Sequence, residues 1–464
     1  MVRLSRFVHI YDIGNAVALV HSLRLKPVYL YIDTFQSLKA WLDSSVCGTL
    51  NDVPADIERV VAELKNCKIL VQSEDEDDKV LKFIRSRIPN PSISVCYFIL
   101  SEQCNLACKY CFLGNHDDVV RKGFLRENMA IETADKAIEF YLRQLNFSEY
   151  GEFRNPSVVF YGGEPLINYD ALVHIATRLN ELSETNKCLA NLEMSVITNG
   201  LLLNETRITK LSELGVGISI SIDGFTEKSN SMRVDVHGNP TFSRILASLE
   251  LCNRLGVDVS LSVTLSEETI KDTLHVFELL KHYNIRGLGF NILMSDETFK
   301  IPAEYNEKAA QYIIDSFIQF RDIGIYEDRM MRKLNSFTKH QIYYSDCAAT
   351  SGGQIVIAPD GNVGVCHGCI AGKKYFVTNV DDKDFDARSN RTFIEWSQLS
   401  PVNNEECLDC EALGICGGGC PVNAMHSKPG NTLKSVDERF CVHAKRTLEF
   451  FVNDLYRKIS SEVI

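Results

Sequence analysis

The sequence lacks a surplus of basic residues: 49 Lys and Arg stand against 61 Asp and Glu, a formal net charge of -12 at pH 7. A protein that coats nucleic acid normally presents a basic face, so this balance argues against nucleic acid as a partner. Long apolar runs are also lacking. The first apolar stretch is interrupted by His9, Asp12 and Asn15, which fits neither a signal peptide nor a membrane span. We therefore expect a cytoplasmic protein that does not enter a membrane.

Cysteine, by contrast, is abundant, with 16 residues in a chain of 464. In a reducing compartment such richness indicates metal binding rather than disulfides. The scattered cysteines are typical of small buried apolar residues: Cys47, Cys67, Cys96, Cys188 and Cys252. The remaining cysteines form two groups: Cys104, Cys108 and Cys111 in the first, and Cys347, Cys366, Cys369, Cys407, Cys410, Cys416, Cys420 and Cys441 in the second.

Three regions separate along the chain. In residues 1–90, FVHIYDI and PVYLYID are predicted strands, and SLKAWL and DIERVVAELKN are predicted helices. CKILVQSEDEDD is predicted to form a strand that ends in an acidic loop, followed by a connecting helix in KVLKFIRSRI. Residues 336–464 are rich in Cys and Gly, with short strands and a final helix that begins at ERFCVHAK.

Residues 91–335 alternate strands and helices, from SISVCYFIL to RGLGFNILM. Strands that alternate with helices favour a parallel sheet of βαβ units, which can curl into a full or partial barrel. The segments CNLACKYC, GGEP, TNG and SIDG each follow a predicted strand. Because chemistry in such folds lies on the loops after the strands, these segments predict one active site.

The loop CNLACKYC carries three thiols at C-x3-C-x2-C spacing and no fourth beside them. A structural zinc site needs four ligands, whereas an open position is typical of a catalytic metal site. Three cysteines can hold three irons of a [4Fe–4S] cluster and leave the fourth iron open. The alternatives are a zinc knuckle or accidental clustering of buried cysteines.

This loop resembles the signature of radical S-adenosylmethionine (SAM) enzymes, with Tyr110 at the aromatic position. The resemblance implies a [4Fe–4S] cluster on Cys104, Cys108 and Cys111, with SAM on the open iron. Reductive cleavage of SAM would give a 5'-deoxyadenosyl radical that abstracts hydrogen from a substrate. An external one-electron donor such as flavodoxin or ferredoxin is implied as a partner.

The strand-end segments also match this family. GGEP resembles the family motif that binds the amino group of the cofactor, and TNG and SIDG match family segments near the cofactor ribose. Arg233 lies where related enzymes often carry an arginine that binds the cofactor carboxylate. The implied cofactor-binding residues are Tyr110, Gly162, Gly163, Glu164, Thr198, Asn199, Ser221, Asp223 and Arg233. The chain departs from the pattern at Ser229-Asn230, where relatives commonly carry His-Asp or His-Asn.

The second cysteine group resembles the SPASM extension of these enzymes, which carries auxiliary clusters. CLDCEALGICGGGC and the C-x13-G-x4-C spacing from Cys347 to Cys366 carry this resemblance. It implies one auxiliary [4Fe–4S] cluster on Cys407, Cys410, Cys416 and Cys441, and part of a second on Cys347, Cys366 and Cys420. Cys369 is a candidate fourth ligand; otherwise that iron is open. A structural zinc ribbon is the alternative.

The expected fold class is α/β: a partial (β/α)6 TIM-like radical SAM barrel at 91–335, with a C-terminal cysteine-rich SPASM domain at 336–464. Residues 1–90 would form a winged-helix-like unit that binds the leader of a precursor peptide as an added strand, or else a structural cap.

The expected function is a peptide maturase that forms a thioether (C–S) or C–C crosslink. The alternatives are a sulfatase-type maturase that makes formylglycine and a non-catalytic zinc-ribbon interaction protein. No catalytic acid or base is predicted, because candidates such as Asp223, His237 and Glu268 are ordinary turn or surface residues as often as catalysts.

Overall fold

The computed structural model describes residues 2–44, 53–111, 113, 127–147, 155–272, 275–294 and 300–462. Its strands are β1 (Arg3–Leu4), β2 (Val8–Asp12), β3 (Ala16–His21), β4 (Val28–Tyr31), β5 (Leu70–Val71), β6 (Val95–Ser101), β7 (Ser157–Gly162), β8 (Glu193–Thr198), β9 (Val216–Ile222), β10 (Val259–Leu265), β11 (Gly287–Ile292), β12 (Tyr326–Glu327), β13 (Gln354–Ile357), β14 (Asn362–Gly364) and β15 (Phe376–Asn379). Its helices are α1 (Ile32–Asp43), α2 (Glu58–Asn66), α3 (Glu74–Arg85), α4 (Ile131–Phe147), α5 (Tyr169–Ser183), α6 (Glu205–Glu213), α7 (Phe242–Arg254), α8 (Glu267–Lys271), α9 (His275–His282), α10 (Tyr305–Asp322), α11 (Asp328–Thr338), α12 (Arg391–Ser397), α13 (Leu413–Cys416), α14 (Pro421–Ser427) and α15 (Glu438–Glu462). In these ranges no helix is long and apolar enough to cross a membrane.

The N-terminal unit contains an antiparallel sheet of order β2-β3-β4 and a two-stranded pair of β1 with β5. The middle strand β3 is buried along its whole length, and Leu19 shares a core with Trp41 of α1 and Leu64 of α2. The sequence pattern did not reveal β3, because AVALVH shows no alternation of polar and apolar residues.

The predicted acidic loop after β5 is wrong. Glu74, Asp75, Glu76 and Asp77 form the first turn of α3, where carboxylates stabilise the positive end of the helix dipole. Asp77 is buried, accepts a hydrogen bond from Ser5 Oγ at 2.6 Å and pairs with Arg3 at 2.9 Å. The acidic residues therefore begin the connecting helix and fasten it to the first strand.

The middle region is the predicted parallel sheet. β6, β7, β8, β9, β10 and β11 are neighbours in chain order, and every adjacent pair is parallel. On one face, alternate residues such as Phe98, Phe160 and Phe290 are fully buried. On the other face, half-buried polar residues such as Ser219 and Ser262 occupy the intervening positions. The strand ends of this sheet carry the candidate site.

The sheet continues through the predicted boundary at residue 335. β13 pairs in parallel with β6, from Gln354 opposite Val95 to Ile357 opposite Phe98, and β14 and β15 extend it further. On the other side, β12 adds to β11. The elements α10, β12 and α11 were not predicted from the sequence.

The N-terminal unit packs against the C-terminal region. Tyr29 Oη donates a hydrogen bond to the carbonyl oxygen of Val452 in α15 at 2.8 Å. Arg85 Nε donates to the carbonyl oxygen of Val402 at 2.8 Å. The N-terminal unit is thus hydrogen-bonded to the C-terminal region at two separate places.

Candidate functional site

The first cysteine group lies on the loop that follows β6, as predicted. Burial is the largest cause that raises the pKa of Cys104 to about 12 and that of Cys108 to about 11, and negative charge on Cys111 adds to both shifts. The three thiols are therefore close enough to act on one another. Because burial disfavours the thiolate, these cysteines need a positive partner such as a metal to stay ionised.

The glycines of GGEP contact the cysteine loop through its backbone. Gly163 N donates to the carbonyl oxygen of Ser101 at 2.8 Å, and Glu164 N donates to that of Gln103 at 2.8 Å. A Cβ on Gly162 would lie 2.2 Å from the Ser101 oxygen, and one on Gly163 would lie 2.4 Å from the Gln103 oxygen. The glycines are thus required for close packing of two loops.

The Glu164 carboxylate is buried and joins two strand-end segments. Its Oε1 accepts hydrogen bonds from Leu166 N at 3.1 Å and Thr198 Oγ1 at 2.7 Å, and its Oε2 accepts one from Asn199 N at 2.8 Å. Asn199 Nδ2 in turn donates to Asn105 Oδ1 at 2.8 Å, beside Cys104. Burial raises the pKa of Glu164 despite these donors. A direct contact of Glu164 with the cofactor stays a prediction.

Tyr110, Asp223 and Arg233 form one buried cluster. Arg233 Nε donates to Asp223 Oδ1 at 2.9 Å, and Arg233 Nη2 donates to Tyr110 Oη at 2.8 Å. Tyr110 Oη donates to the same Asp223 oxygen. The second oxygen, Asp223 Oδ2, is buried and has no hydrogen-bond partner among the described residues. Burial raises the pKa of Asp223, which Arg233 partly opposes. The cluster thus holds one unused acceptor.

The segment Ser229-Asn230, where the chain departs from the family pattern, supports this cluster. Asn230 Oδ1 accepts from Asp223 N at 2.9 Å, and Asn230 Nδ2 donates to the carbonyl oxygen of Gly224 at 2.9 Å. A Cβ on Gly224 would lie 2.5 Å from Ser229 Oγ. Sequence reasoning missed this role, because it depends on side-chain contacts across a turn.

The remaining single residues lie farther from this cluster. Ser221 is half-buried on β9, opposite Ser262 of β10. His237 is exposed. Glu268 forms ion pairs with Lys228 at 2.6 Å and Lys271 at 2.7 Å. His237 and Glu268 thus lie at or near the surface, as expected for ordinary turn or surface residues.

In the second cysteine group, one set surrounds Cys366. A hydrogen bond with Cys369 and then burial raise the pKa of Cys366. Burial is the largest cause that raises the pKa of Cys347 and Cys420, and charge on Cys366 adds to both. The structure thus brings Cys369 next to Cys366, within the set implied by the resemblance.

The other set surrounds Cys416. Burial raises the pKa of Cys407 to about 12, and charges on Cys416 and Cys410 add to this. Burial also raises the pKa of Cys441, where charges on Cys416, Cys407 and Cys410 add. Four thiols of the segment 407–441 are therefore close enough to act on one another. That they bind a cluster stays a prediction.

The spacing of these thiols bears on the kind of metal. Across the described ranges, no three His, Cys, Asp or Glu side chains are arranged to hold a single metal ion. A zinc ion needs its sulfur ligands about 2.3 Å from one point, whereas the thiols of an iron–sulfur cluster bind different irons. What the two thiol sets bind therefore stays a prediction.

An aromatic cluster missed by sequence reasoning lies between the two cysteine groups. Tyr97 of β6 stacks on His367 with ring centroids 4.6 Å apart, and Tyr161 of β7 contacts the same ring at 5.1 Å. After burial, charges on Cys347 and Cys366 raise the pKa of Tyr97, and charge on Cys111 raises that of Tyr161. These rings therefore connect the two groups.

Comparison with known proteins shows what this chain is similar to. Residues 98–280 match the model of the Radical SAM superfamily. The chain is 25% identical over 425 residues to the radical SAM cyclopropyl synthase TigE of Paramaledivibacter caminithermalis, covering 88% of this chain and 83% of the relative. It is 23% identical to a cysteine-type anaerobic sulfatase-maturating enzyme of Clostridium novyi, covering 78% of this chain and 96% of the relative.

Two solved structures share the fold. The native anSMEcpe structure with bound AdoMet matches with a TM-score of 0.63 and 20% identity, over 79% of this chain and 99% of that one. The crystal structure of Streptococcus suis SuiB bound to precursor peptide SuiA matches with a TM-score of 0.55 and 16% identity, over 95% of this chain and 100% of that one. The cysteine loop and its strand-end neighbours thus lie in the part of the chain, residues 98–280, that matches the Radical SAM superfamily.

Proposed function

We propose that this protein is a radical SAM peptide maturase that introduces a thioether or C–C crosslink into a ribosomally made precursor peptide. The family implies SAM and a [4Fe–4S] cluster, and Cys104, Cys108 and Cys111 are the residues that would hold the cluster. When bound, the two groups supply a carbon radical that removes hydrogen from an unactivated C–H bond.

The residues present fit these groups. Three half-buried thiols lie on one loop, and the buried Asp223 Oδ2 has no partner among the described residues. An unsatisfied buried acceptor costs about 1–3 kcal/mol, so a hydroxyl or amino group of the cofactor is a natural donor to it. Tyr110 and Arg233 orient that carboxylate.

The observation that carries the peptide substrate is the N-terminal unit. Its sheet has β4 at one edge, and Tyr31 at the end of that strand is 75% exposed. An extended peptide can add to such an edge through main-chain hydrogen bonds. The match to SuiB, which was solved with a precursor peptide, extends over 95% of this chain.

Two auxiliary clusters belong to this proposal. Cys407, Cys410, Cys416 and Cys441 would hold one, and Cys347, Cys366, Cys369 and Cys420 the other. A buried cluster there can accept the second electron that a two-electron crosslink removes from the peptide. The hydrogen bond between Cys366 and Cys369 supports Cys369 as the fourth ligand.

The test is the intact mass of a candidate precursor peptide, from a short reading frame beside the gene, after anaerobic co-expression. We expect loss of two hydrogens per crosslink, which fragmentation would locate. The triple variant Cys104→Ala, Cys108→Ala and Cys111→Ala should give unmodified peptide. The matched control is the triple variant Cys67→Ala, Cys188→Ala and Cys252→Ala, which should still modify the peptide. An unchanged mass would contradict the crosslink, and deuterium uptake from heavy water would then indicate epimerisation instead.

A sulfatase-type maturase is the second candidate, because relatives named as sulfatase-maturating enzymes match 71–78% of the chain. That function requires oxidation of one Cys or Ser to formylglycine. A peptide from a sulfatase active site, incubated with reconstituted enzyme, would then gain an aldehyde that hydrazine reagents detect. An aldehyde product without any crosslinked precursor would favour this candidate.

A further inference from the structure

A groove on the N-terminal unit lies between α3, the turn after β3 and the end of α2. Its cavity measures about 600 Å³. Leu23, Val80 and Ile84 line it, together with Phe83, whose side chain is on a residue that is 57% exposed. A concave site of this size is typical of a place where another molecule binds. This site, the α3 groove, lies outside the cysteine loop and its strand-end neighbours.

The charged residues that line the α3 groove are cations. They are Arg24, Lys26 and Lys79, and no carboxylate of the described chain lines it with them. Lys79 is paired with Asp75 at 2.5 Å. Arg24 and Lys26, by contrast, form no ion pair with a described residue, and Arg24 Nε is buried without a hydrogen-bond partner there. The groove thus contains two cations whose charge is not used within the described chain.

The surroundings of the groove add positive charge. The guanidinium of Arg87 lies over the ring of Phe83, 5.1 Å from its centroid, and forms no ion pair with a described residue. Glu63 accepts a hydrogen bond from the Cys67 thiol at 3.4 Å, so its charge offsets one of the three unpaired cations. The other carboxylates nearby each have a cation: Glu76 with Lys68 at 3.0 Å, Asp77 with Arg3 at 2.9 Å, and Glu405 with Arg85 at 3.1 Å. A chain of net charge -12 therefore has a positive groove here.

The apolar wall of the groove also contacts the second cysteine group. Leu23 belongs to an apolar cluster that includes Leu413, and Val80, Ile84 and Cys407 pack against this cluster. Cys407 is half-buried. The side chains that line the groove on one side therefore surround a proposed cluster ligand on the other.

The backbone of the same cysteine segment contacts the N-terminal unit as well. A Cβ on Gly414 would lie 2.2 Å from the carbonyl oxygen of Ser22. Arg85 Nε, at the end of α3, donates to the carbonyl oxygen of Val402 at 2.8 Å. The α3 groove and the segment that begins at Cys407 thus lie on two sides of one packed interface.

We propose that the α3 groove docks a one-electron carrier protein with an acidic surface, which removes electrons from the auxiliary cluster proposed on Cys407, Cys410, Cys416 and Cys441. This inference rests on the proposed function for that cluster. A cluster that accepts an electron for each crosslink must lose it before the next turnover. Electron-transfer partners bind through small interfaces, and opposite charge raises their association rate about 10-fold to 1,000-fold.

The test uses the full chain with Cys104→Ala, Cys108→Ala and Cys111→Ala, reconstituted anaerobically so that only auxiliary clusters hold iron. The clusters are reduced with dithionite, freed of excess reductant and mixed with an oxidised flavodoxin of acidic surface. Each reduced cluster loses one electron, and the flavin gains it with a proton from water to form the semiquinone, which stopped-flow absorbance records.

Lys26→Glu with Arg87→Glu, both at exposed positions, should slow semiquinone formation about tenfold at low ionic strength. The same variant should weaken the dependence of the rate on salt, because screening acts on the charges that it reverses. Lys39→Glu with Lys281→Glu is the matched control, since it changes net charge equally at exposed positions outside the groove. Its rate should equal that of the parent.

A small uncharged quinone serves as a second oxidant that needs no docking site. It should oxidise the clusters equally fast in the parent, the groove variant and the control. A groove variant that is slowed equally with the quinone would have a disturbed cluster, which would overturn the docking site. Equal flavodoxin rates in groove variant and control would overturn it while leaving the auxiliary clusters in place. A parent chain without auxiliary iron would overturn those clusters, and the docking site with them.

Discussion

Around Cys104, Cys108 and Cys111 the nearest buried charged groups include two carboxylates, Glu164 and Asp223, with Arg233 held by one of them. Around Cys416 and Cys420 the balance of charge is different, because two buried cations lie there and each is paired with a carboxylate. Lys333 lies at Cys416, and the buried Arg439 is paired with Asp437, whose Oδ2 accepts from Cys420 N at 3.1 Å. Both signs therefore occur in both regions, but two carboxylates share one buried cation in the first, whereas Lys333 and Arg439 each have one carboxylate, Asp346 and Asp437, in the second.

The difference matches the partners proposed for each region. Carboxylates beside three thiols favour a ligand that brings its own positive charge, as the sulfonium and amino groups of SAM do. Cations beside four thiols compensate a group that is negative as a whole. We therefore propose that the first region is an open site for an exchangeable ligand and that the second is a closed site for a permanent one.

Replacing all three loop cysteines should have the largest effect. Cys104→Ala with Cys108→Ala and Cys111→Ala should abolish formation of 5'-deoxyadenosine, because no thiol remains to hold the cluster at the open site. Iron at the closed sites should be retained. Liquid chromatography with mass spectrometry measures the nucleoside, and a colorimetric assay measures iron. Unchanged 5'-deoxyadenosine production would contradict the assignment of the open site.

Gly163→Ala should disturb the open site alone. The added Cβ would lie 2.4 Å from the carbonyl oxygen of Gln103, and relief of such overpacking costs about 3 kcal/mol. Hydrogen exchange of residues 95–111 should accelerate, while that of α15 should not. Gly372→Ala is the control, since nothing lies within 4 Å of its Cβ. Equal acceleration in both variants would show that the loop contact is unimportant.

Glu164→Gln should have a smaller effect on the same site. In the wild-type protein the Glu164 carboxylate accepts hydrogen bonds from Leu166 N, Thr198 Oγ1 and Asn199 N. The glutamine amide has the same shape, but its N–H group would face one of these donors. Loss of one such bond costs about 1.5 kcal/mol, so we expect SAM to bind about tenfold more weakly by calorimetry. Glu181→Gln, on an exposed helix position, is the control. Unaltered affinity would mean that the carboxylate serves only folding.

Tyr29→Phe should have the smallest effect, and the effect should be confined to α15 in the C-terminal region. It removes the hydrogen bond from Tyr29 Oη to the carbonyl oxygen of Val452, worth about 1 kcal/mol. Hydrogen exchange near the C-terminal half of α15 should rise several-fold. Tyr31→Phe, at a side chain that is 75% exposed, should change nothing there. A response in the cysteine loop instead would contradict the separation of the two regions.

The sequence predicted the open site better than the closed one for a physical reason. CNLACKYC, GGEP, TNG and SIDG each follow a strand, and the ends of parallel strands meet at one edge. The family resemblance then indicated four candidate cofactor-binding residues among these segments and beside them: Tyr110, Glu164, Asp223 and Arg233. The contacts that join them, such as Glu164 with Thr198, were not predicted, because the expected partner was a ligand.

The closed region depends on contacts between distant residues, which spacing does not reveal. Lys333 meets Cys416 across 83 positions, on a helix that was not predicted. The N-terminal strand β3 escaped notice because a strand buried on both faces shows no alternation. The acidic start of α3 was mistaken for a loop because charge density alone does not distinguish a solvated turn from the first turn of a helix.

The pairing of β13 with β6 has a mechanical consequence. β6 leads into the loop with Cys104, and β13 lies between Cys347 and Cys366. The hydrogen bonds between these strands, from Val95 to Phe98, fix the distance between the two cysteine groups. A hinge motion between the two groups would have to break the hydrogen bonds between β6 and β13. The separation of the two cysteine groups therefore depends on backbone hydrogen bonds and not on the side chains between them.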